Sequence, residues 1–183
     1  MSIIVFFVKI TEQPITQVNI KKYRKMIESM MPLKHSNDLV SDSIKLHALG
    51  DLGTSESVPV FRARISKSEL ALKPIGLVIT PTAPDGYNGA IKLAISLDWE
   101  GKILRVKILD HHESVGFGDM IHQDNTDWLK GFTGKSAIDF EQNMTVDQIS
   151  GASVSSYAVT QAIKKCIYLY QRERSLFWKE KNE

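Results

Sequence analysis

Asp147-Gln148-Ile149-Ser150-Gly151-Ala152-Ser153-Val154-Ser155-Ser156 is a small, hydroxyl-rich stretch that runs into the clearest helical pattern of the chain. From Val159 the apolar positions Ala162, Ile163, Cys166, Ile167 and Tyr170 fall on one helix face. Ser155 or Ser156 is placed to cap that helix by accepting a hydrogen bond from a first-turn N–H. Gly151 and Ala152 let the backbone pass close to another group. A helix N-terminus with free N–H groups and hydroxyls favours a bound phosphate. Two readings stand at this point: a capped helix after a tight turn, or a phosphate-binding loop. A hydrolase centred on Ser153 is not supported. Gly151-Ala152-Ser153-Val154-Ser155 lacks the second glycine of a nucleophile elbow, and no histidine pairs with it in sequence.

The second chemical cluster is His111-His112-Glu113. Neighbours on a strand point to opposite faces, so the two imidazoles do not converge on one metal. No further ligand follows at metal-like spacing, His122 being eleven residues beyond His111, and no metal is expected. Gly116 and Gly118 allow a ring or phosphate to approach the backbone closely, so this segment reads as the wall of a binding pocket. Glu113 is placed to accept a hydrogen bond either from a loop amide or from the bound group.

These residues need a scaffold, and the patterning supplies one. Ile20, Tyr23, Met26, Ile27, Met30 and Met31 repeat at helical spacing, opposite Lys21, Lys22, Arg24, Lys25 and Glu28, and Pro32 ends the helix. The basic side reads as a solvated face. From Ser43 to Leu109 the period is two, giving strands over Ile44–Leu49, Val58–Ile65, Leu70–Thr80, Ala90–Leu97 and Ile103–Leu109. The last two form a hairpin with one dry face around Asp98-Trp99-Glu100-Gly101. Thr82–Gly89 is a connecting loop. Thr126 caps a short helix through Trp128, Leu129 and Phe132 that ends at Gly134; the rest, up to Val146, reads as loop with at most one short strand. The fold class is α+β: a mainly antiparallel sheet, an N-terminal helix, and a C-terminal helix after the hydroxyl-rich loop.

The chain has 183 residues, 43% hydrophobic and 24% charged, which is enough for one domain with a sizeable core. A net charge of +2 with interspersed signs gives no basic patch for nucleic acid. The single cysteine, Cys166, lies on the apolar face of the last helix and reads as a core residue. The run Ile3–Val8 is shorter than the roughly 20 apolar residues of a membrane span and lacks the flanks of a signal peptide. It reads as a strand, an anchor remnant, or the end of a longer anchor. In the charged tail, Leu176, Phe177 and Trp178 either pack back, touch a partner or meet a membrane.

Three patches, in order, resemble one family. Asp147-x-x-Ser150-Gly151-Ala152-Ser153 is similar to the flavinylation motif of the FMN-binding domain in the G component of the Rnf electron-transport complex and the C component of the sodium-pumping NADH:quinone reductase. Ala83-Pro84-Asp85-Gly86-Tyr87-x-Gly89-Ala90-Ile91 resembles the same family. So does His111-His112-Glu113-Ser114-Val115-Gly116-Phe117-Gly118-Asp119, followed by Asp127-Trp128-Leu129. Val115 stands where the family has proline, and Ser153 where it usually has threonine. The likeness spans about Ile20 to Arg172.

The resemblance implies a short apolar segment (1–14), an FMN-binding domain (15–172) and a charged tail (173–183). It implies FMN joined by a phosphoester to Ser153, with Ser150, Gly151, Ala152 and Asp147 forming the motif read by a flavin transferase. Glu113, Gly116, Gly118 and Tyr87 would line the pocket, with Phe117, Trp128 and His112 as further ring neighbours. The implied role is electron transfer, with no independent turnover, among the other subunits of an Rnf-type complex that couples redox chemistry to ion translocation. Its place would be the periplasmic side of the inner membrane. The competing implication is a scaffold subunit that has lost its flavin. The family normally begins with a transmembrane helix, which the run Ile3–Val8 does not match.

Overall fold

A computed structural model of the chain describes residues 17–47, 50–68, 71–116, 118–122, 124, 126–142 and 146–179. The apolar run Ile3–Val8 and Phe117 lie outside the described residues.

The alternation of Ile91, Leu93, Ile95 and Leu97 builds the central strand of the molecule. Strands β1 (Ser43–Leu46), β2 (Val58–Ser68), β3 (Ala71–Ile79), β4 (Thr82–Ala83), β5 (Ile91–Asp98) and β6 (Ile103–Asp110) form one sheet. All of its pairings are antiparallel. β1, β2, β3 and β5 follow one another across the sheet, and β6 pairs with the far side of β5. β4 belongs to the stretch expected to be a loop. It continues the line of β3 along β5, with Gly76 opposite Asp98, Ile79 opposite Ile95 and Ala83 opposite Ile91. Between those pairings the amide of Leu93 donates to Pro81 O at 3.0 Å.

Helices cover both faces. The first, α1 (Gln17–Met30), lays Ile27 and Met30 with Met31 on a core shared with Phe61, Ala63, Val78 and Ala94. Lys21, Lys22 and Lys25 are exposed on its other side, and Arg24 pairs with Asp38. The opposite face is covered by α3 (Ser153–Arg172), whose Val159, Ile163, Cys166 and Ile167 pack with Leu93, Ile95, Leu97 and Ile108. Strand β5 is therefore dry on both faces from Leu93 to Leu97, whereas β6 keeps Arg105 exposed. The small residues Ala94 and Ser96 between the large apolar positions leave room for α1, and both are fully buried. Burial of a large aliphatic side chain stabilises by roughly 1.5–3 kcal/mol, so this strand anchors both layers.

Between β6 and α3 stand two 3₁₀ turns, Gly118–Ile121 and Trp128–Phe132, and a short helix α2 (Ala137–Glu141). The expected Thr126 cap is a correction: Asp127 is the N-cap without a side-chain cap bond, and Thr126 Oγ1, one residue before it, accepts from Trp128 N at 3.2 Å. Gly134 takes a positive φ of 83° just past the end. The helix α2 replaces the expected loop or strand. Asp139 closes a capping box, accepting from Ser136 N at 2.7 Å and Ser136 Oγ at 2.6 Å.

Of the tail, residues up to 179 pack back onto the domain. The short helix α4 (Arg174–Phe177) inserts the fully buried Phe177 edge-on to Tyr170, with ring centres 5.1 Å apart. Trp178 lies 5.4 Å from Trp99. The buried Arg62, paired with Asp42, donates to Lys179 O at 2.7 Å. Among the described residues no helix is long and apolar enough to cross a membrane.

Candidate functional site

The hydroxyl-rich stretch folds as a turn that launches α3. Ala152 N donates to Ile149 O at 3.0 Å, closing a turn whose third residue, Gly151, has φ 84°. Only glycine adopts that conformation without strain. The first helical bond follows, from Ser156 N to Ala152 O at 2.9 Å. The helix thus begins at Ser153, six residues ahead of the apolar face that announced it. The expected serine caps are a correction: Ser155 and Ser156 lie inside the first turn, Ala152 is the N-cap, and no side chain caps the helix. Both hydroxyls are engaged elsewhere. Ser155 Oγ accepts from Tyr87 N at 3.4 Å, and Ser156 Oγ accepts from Ile149 N at 3.3 Å.

The uncapped end matters for chemistry. The first-turn amides of a helix have no intrahelical acceptor. No hydrogen bond between described residues engages the amides of Ser153, Val154 or Ser155. They stand at the positive end of the dipole of a 20-residue helix.

An open cleft of about 460 Å³ lies at this end of the helix, lined by Tyr87, Ser114, Gly118 and the run Gly151–Ser155. Its size falls in the range of small-molecule sites, roughly 300–1,000 Å³. The three patches that are distant in sequence meet here: the β4–β5 loop gives Tyr87, the segment after β6 gives Ser114 and Gly118, and α3 gives the hydroxyl end. Among the described residues, none that lines the cleft carries a formal charge. Tyr87 is 71% exposed and Val154 52% exposed, so both offer apolar surface to a bound ring.

Glu113 ties two of these walls together without entering the cleft. It is buried, and its Oε1 accepts from Asn88 N at 3.4 Å. Its Oε2 is buried with no hydrogen-bond partner among the described residues. A β-carbon at Gly118 would lie 2.5 Å from Oε2, and one at Gly86 would lie 2.8 Å from Oε1. Gly118 therefore lacks a side chain because Glu113 packs on it, a reason that sequence spacing does not reveal. Gly116 takes a positive φ of 79° at the tip of the same segment, with its amide donating to Asp119 Oδ1 at 2.8 Å.

The remaining sequence candidates separate. Ser150 is exposed on the turn beside the cleft. Asp147 is exposed too, its carbonyl accepting from Trp128 Nε1 at 2.6 Å. Trp128 and His112 are not among the residues that line the cleft. Trp128 packs edge-on to Phe132 at 5.1 Å, and His112 is exposed. His111 stacks 5.8 Å from His122 and accepts from Glu113 N at 3.2 Å. Among the described residues no group of three or more His, Cys, Asp or Glu side chains is arranged to hold a metal ion. Cys166 is fully buried, and burial pushes its thiol up to about 12. Sequence reasoning missed Ser114 and the direct part played by Val154; both are short or apolar side chains whose placement depends on tertiary packing alone.

An FMN group fits this arrangement on the donor set: uncovered amides and a hydroxyl for a phosphate, and an open apolar wall for a ring. Comparison with known proteins agrees. The family model for the FMN-binding domain matches residues 86–168, which contain Tyr87, Glu113 and the whole launching turn. The G component of the ion-translocating oxidoreductase complex of Vibrio vulnificus (strain YJ016) is 30% identical over 173 residues, covering 90% of this chain and 80% of the relative. That of Vibrio atlanticus (strain LGP32) is 32% identical over 151 residues, covering 78% of this chain and 69% of the relative. That of Escherichia coli (strain K12) is 29% identical over 165 residues, covering 86% and 77%.

Proposed function

The chain belongs to the family of G components of ion-translocating oxidoreductase complexes, and from that membership we propose that it is an electron-transfer subunit carrying FMN covalently on Ser153. The observation that carries this reading is the place of Ser153: an exposed hydroxyl at the first position of a long helix, on the wall of a cleft that no described cationic side chain lines. Hydrogen bonds to a charged oxygen contribute roughly 1.5–3 kcal/mol each. Three amides would give about 5–9 kcal/mol by that measure, and association costs about 4–15 kcal/mol. Free FMN would therefore be held weakly by this end of the helix. A phosphodiester to Ser153 removes the association cost and leaves one negative charge beside the helix dipole.

The attachment is a transfer without redox change. Ser153 Oγ attacks the flavin-side phosphorus of a flavin dinucleotide, the new O–P bond forms, and the phosphoanhydride bond breaks. AMP leaves, and the hydroxyl proton passes to a base of the modifying enzyme. Serine presents the same oxygen as threonine and lacks only the methyl that restricts its rotamers. When bound, the isoalloxazine supplies the electron-carrying chemistry. The chain's own residues orient it: Tyr87 and Val154 offer apolar contact, Gly151 and Ala152 keep the approach open, and Glu113 holds Gly86, Asn88 and Gly118 in place. Asp147 and Ser150 are the exposed marks a flavin transferase would read. The protein would act with the other subunits of an Rnf-type complex at the inner membrane, its flavin on the periplasmic side, coupling electron flow to ion movement.

Intact-mass measurement after co-expression with a flavin transferase tests this reading. A mass increase of FMN less one water, absent in Ser153→Ala, is expected. An unmodified, colourless parent would leave a scaffold role instead.

A further inference from the structure

The backbone around the modification turn is fastened at both ends, with Ile149 and Ala152 packed on the core and the polar side chains of Asp147, Gln148, Ser150 and Ser153 exposed. Downstream, Ile149 N is held by Ser156 Oγ and Ala152 N by Ile149 O. Upstream, among the described residues, Asp147 and Val146 are held by the 3₁₀ turn Trp128–Phe132. Trp128 Nε1 donates to Asp147 O at 2.6 Å. At Gly131 an added β-carbon would lie 3.2 Å from Val146 Cγ1, so Val146 seats directly over the glycine. The turn is itself fixed to the sheet. Gly134 N donates to Ile103 O at 2.7 Å, Ile103 N donates to Lys135 O at 2.9 Å, and Phe132 is fully buried. Between these anchors, Asp147, Gln148, Ser150, Gly151 and Ser153 all keep solvent-accessible surface.

We propose that the 3₁₀ turn Trp128–Phe132 is a presenting brace for the modifying enzyme, with Trp128 as the positioning residue that sets Asp147 relative to Ser153. The inference rests on the reading that Ser153 is flavinylated. Its physical basis is pre-organisation. A segment already ordered on the free protein loses less conformational freedom when an enzyme closes on it. Trp128 acts through the Asp147 carbonyl. It touches neither the hydroxyl nor the cleft, which separates it from the pocket residues. The group transfer is the one already balanced: an Oγ–P bond forms, a phosphoanhydride bond breaks, AMP leaves.

The test uses the purified full chain as substrate for a purified flavin transferase with flavin dinucleotide as donor. Initial rates of in-gel flavin fluorescence are followed against substrate concentration, with intact mass as a check. Trp128→Phe keeps a ring against Phe132 and lacks the N–H. It should raise KM about tenfold, the size of one net hydrogen bond, with kcat nearly unchanged. Gly131→Ala, which displaces Val146, should shift KM in the same direction. Trp178→Phe, which loses a buried indole N–H without a partner among the described residues, beside Trp99, should leave KM alone. A parent-like KM for Trp128→Phe, with the parent itself modified, overturns the brace and spares the flavinylation reading. An equal rise in Trp178→Phe also overturns the brace, because it would assign the effect to general loosening. A parent that accepts no flavin overturns both.

Discussion

Glu113 occupies the space that a side chain at Gly118 would need: a β-carbon there would sit 2.5 Å from Oε2 and 2.8 Å from the Glu113 β-carbon. The contact joins the end of β6 to the cleft wall. It explains a glycine that lies outside the positive-φ set.

Gly118→Ala should therefore destabilise the protein by about 1–3 kcal/mol, the usual range for overpacking. The double variant with Glu113→Ala should recover part of that loss, since the clash is with Glu113 itself. Urea denaturation of the four proteins in the cycle measures the coupling. Strict additivity would show that the two residues do not share this space.

Phe177→Ala should cost about 3–5 kcal/mol, as for a fully buried aromatic residue. A loss well below that, by urea denaturation, would mean that α4 is not part of the core. Sequence left this segment open among three roles, because three apolar residues in a charged tail carry no period.

The capping box of α2 carries a pH dependence. Hydrogen bonds from the Ser136 side chain and backbone hold the Asp139 carboxyl below its usual range. A carboxylate with a lowered folded-state value stabilises above its ordinary unfolded value, and that contribution fades as pH falls through the folded value. The melting difference between the parent and Asp139→Asn should be largest near neutral pH and shrink in acid. A difference that grew on acidification would contradict the assigned hydrogen bonds.

Much of the scaffold was legible because it depends on period. The alternation through Ile91–Leu97 placed β5, and the spacing from Ile20 to Met31 placed α1. The start of α3 was not legible: Ser153–Ser156 include three cap-type side chains, and the backbone bond from Ser156 N to Ala152 O shows that they lie within the helix, with the Ser155 and Ser156 hydroxyls accepting from Tyr87 N and Ile149 N instead of capping it. β4 was hidden in a Pro- and Gly-rich stretch, because two residues are too few to show alternation. At the site, the three patches were visible as motifs, but the division of labour was not. Tyr87 reaches the cleft, whereas Trp128, equally aromatic, turns away to hold Asp147. Composition does not encode that difference; it follows from where the 3₁₀ turn docks on β6.

The central claim is that Ser153 holds FMN through its hydroxyl oxygen. The most direct measurement is peptide mapping by mass spectrometry of the protein co-expressed with a flavin transferase, comparing parent, Ser153→Thr and Ser153→Ala. The account predicts FMN less one water on the peptide bearing residue 153 in the parent and in Ser153→Thr, and none in Ser153→Ala. Flavin on another residue, or an unmodified parent beside a modified Ser153→Thr, would contradict it.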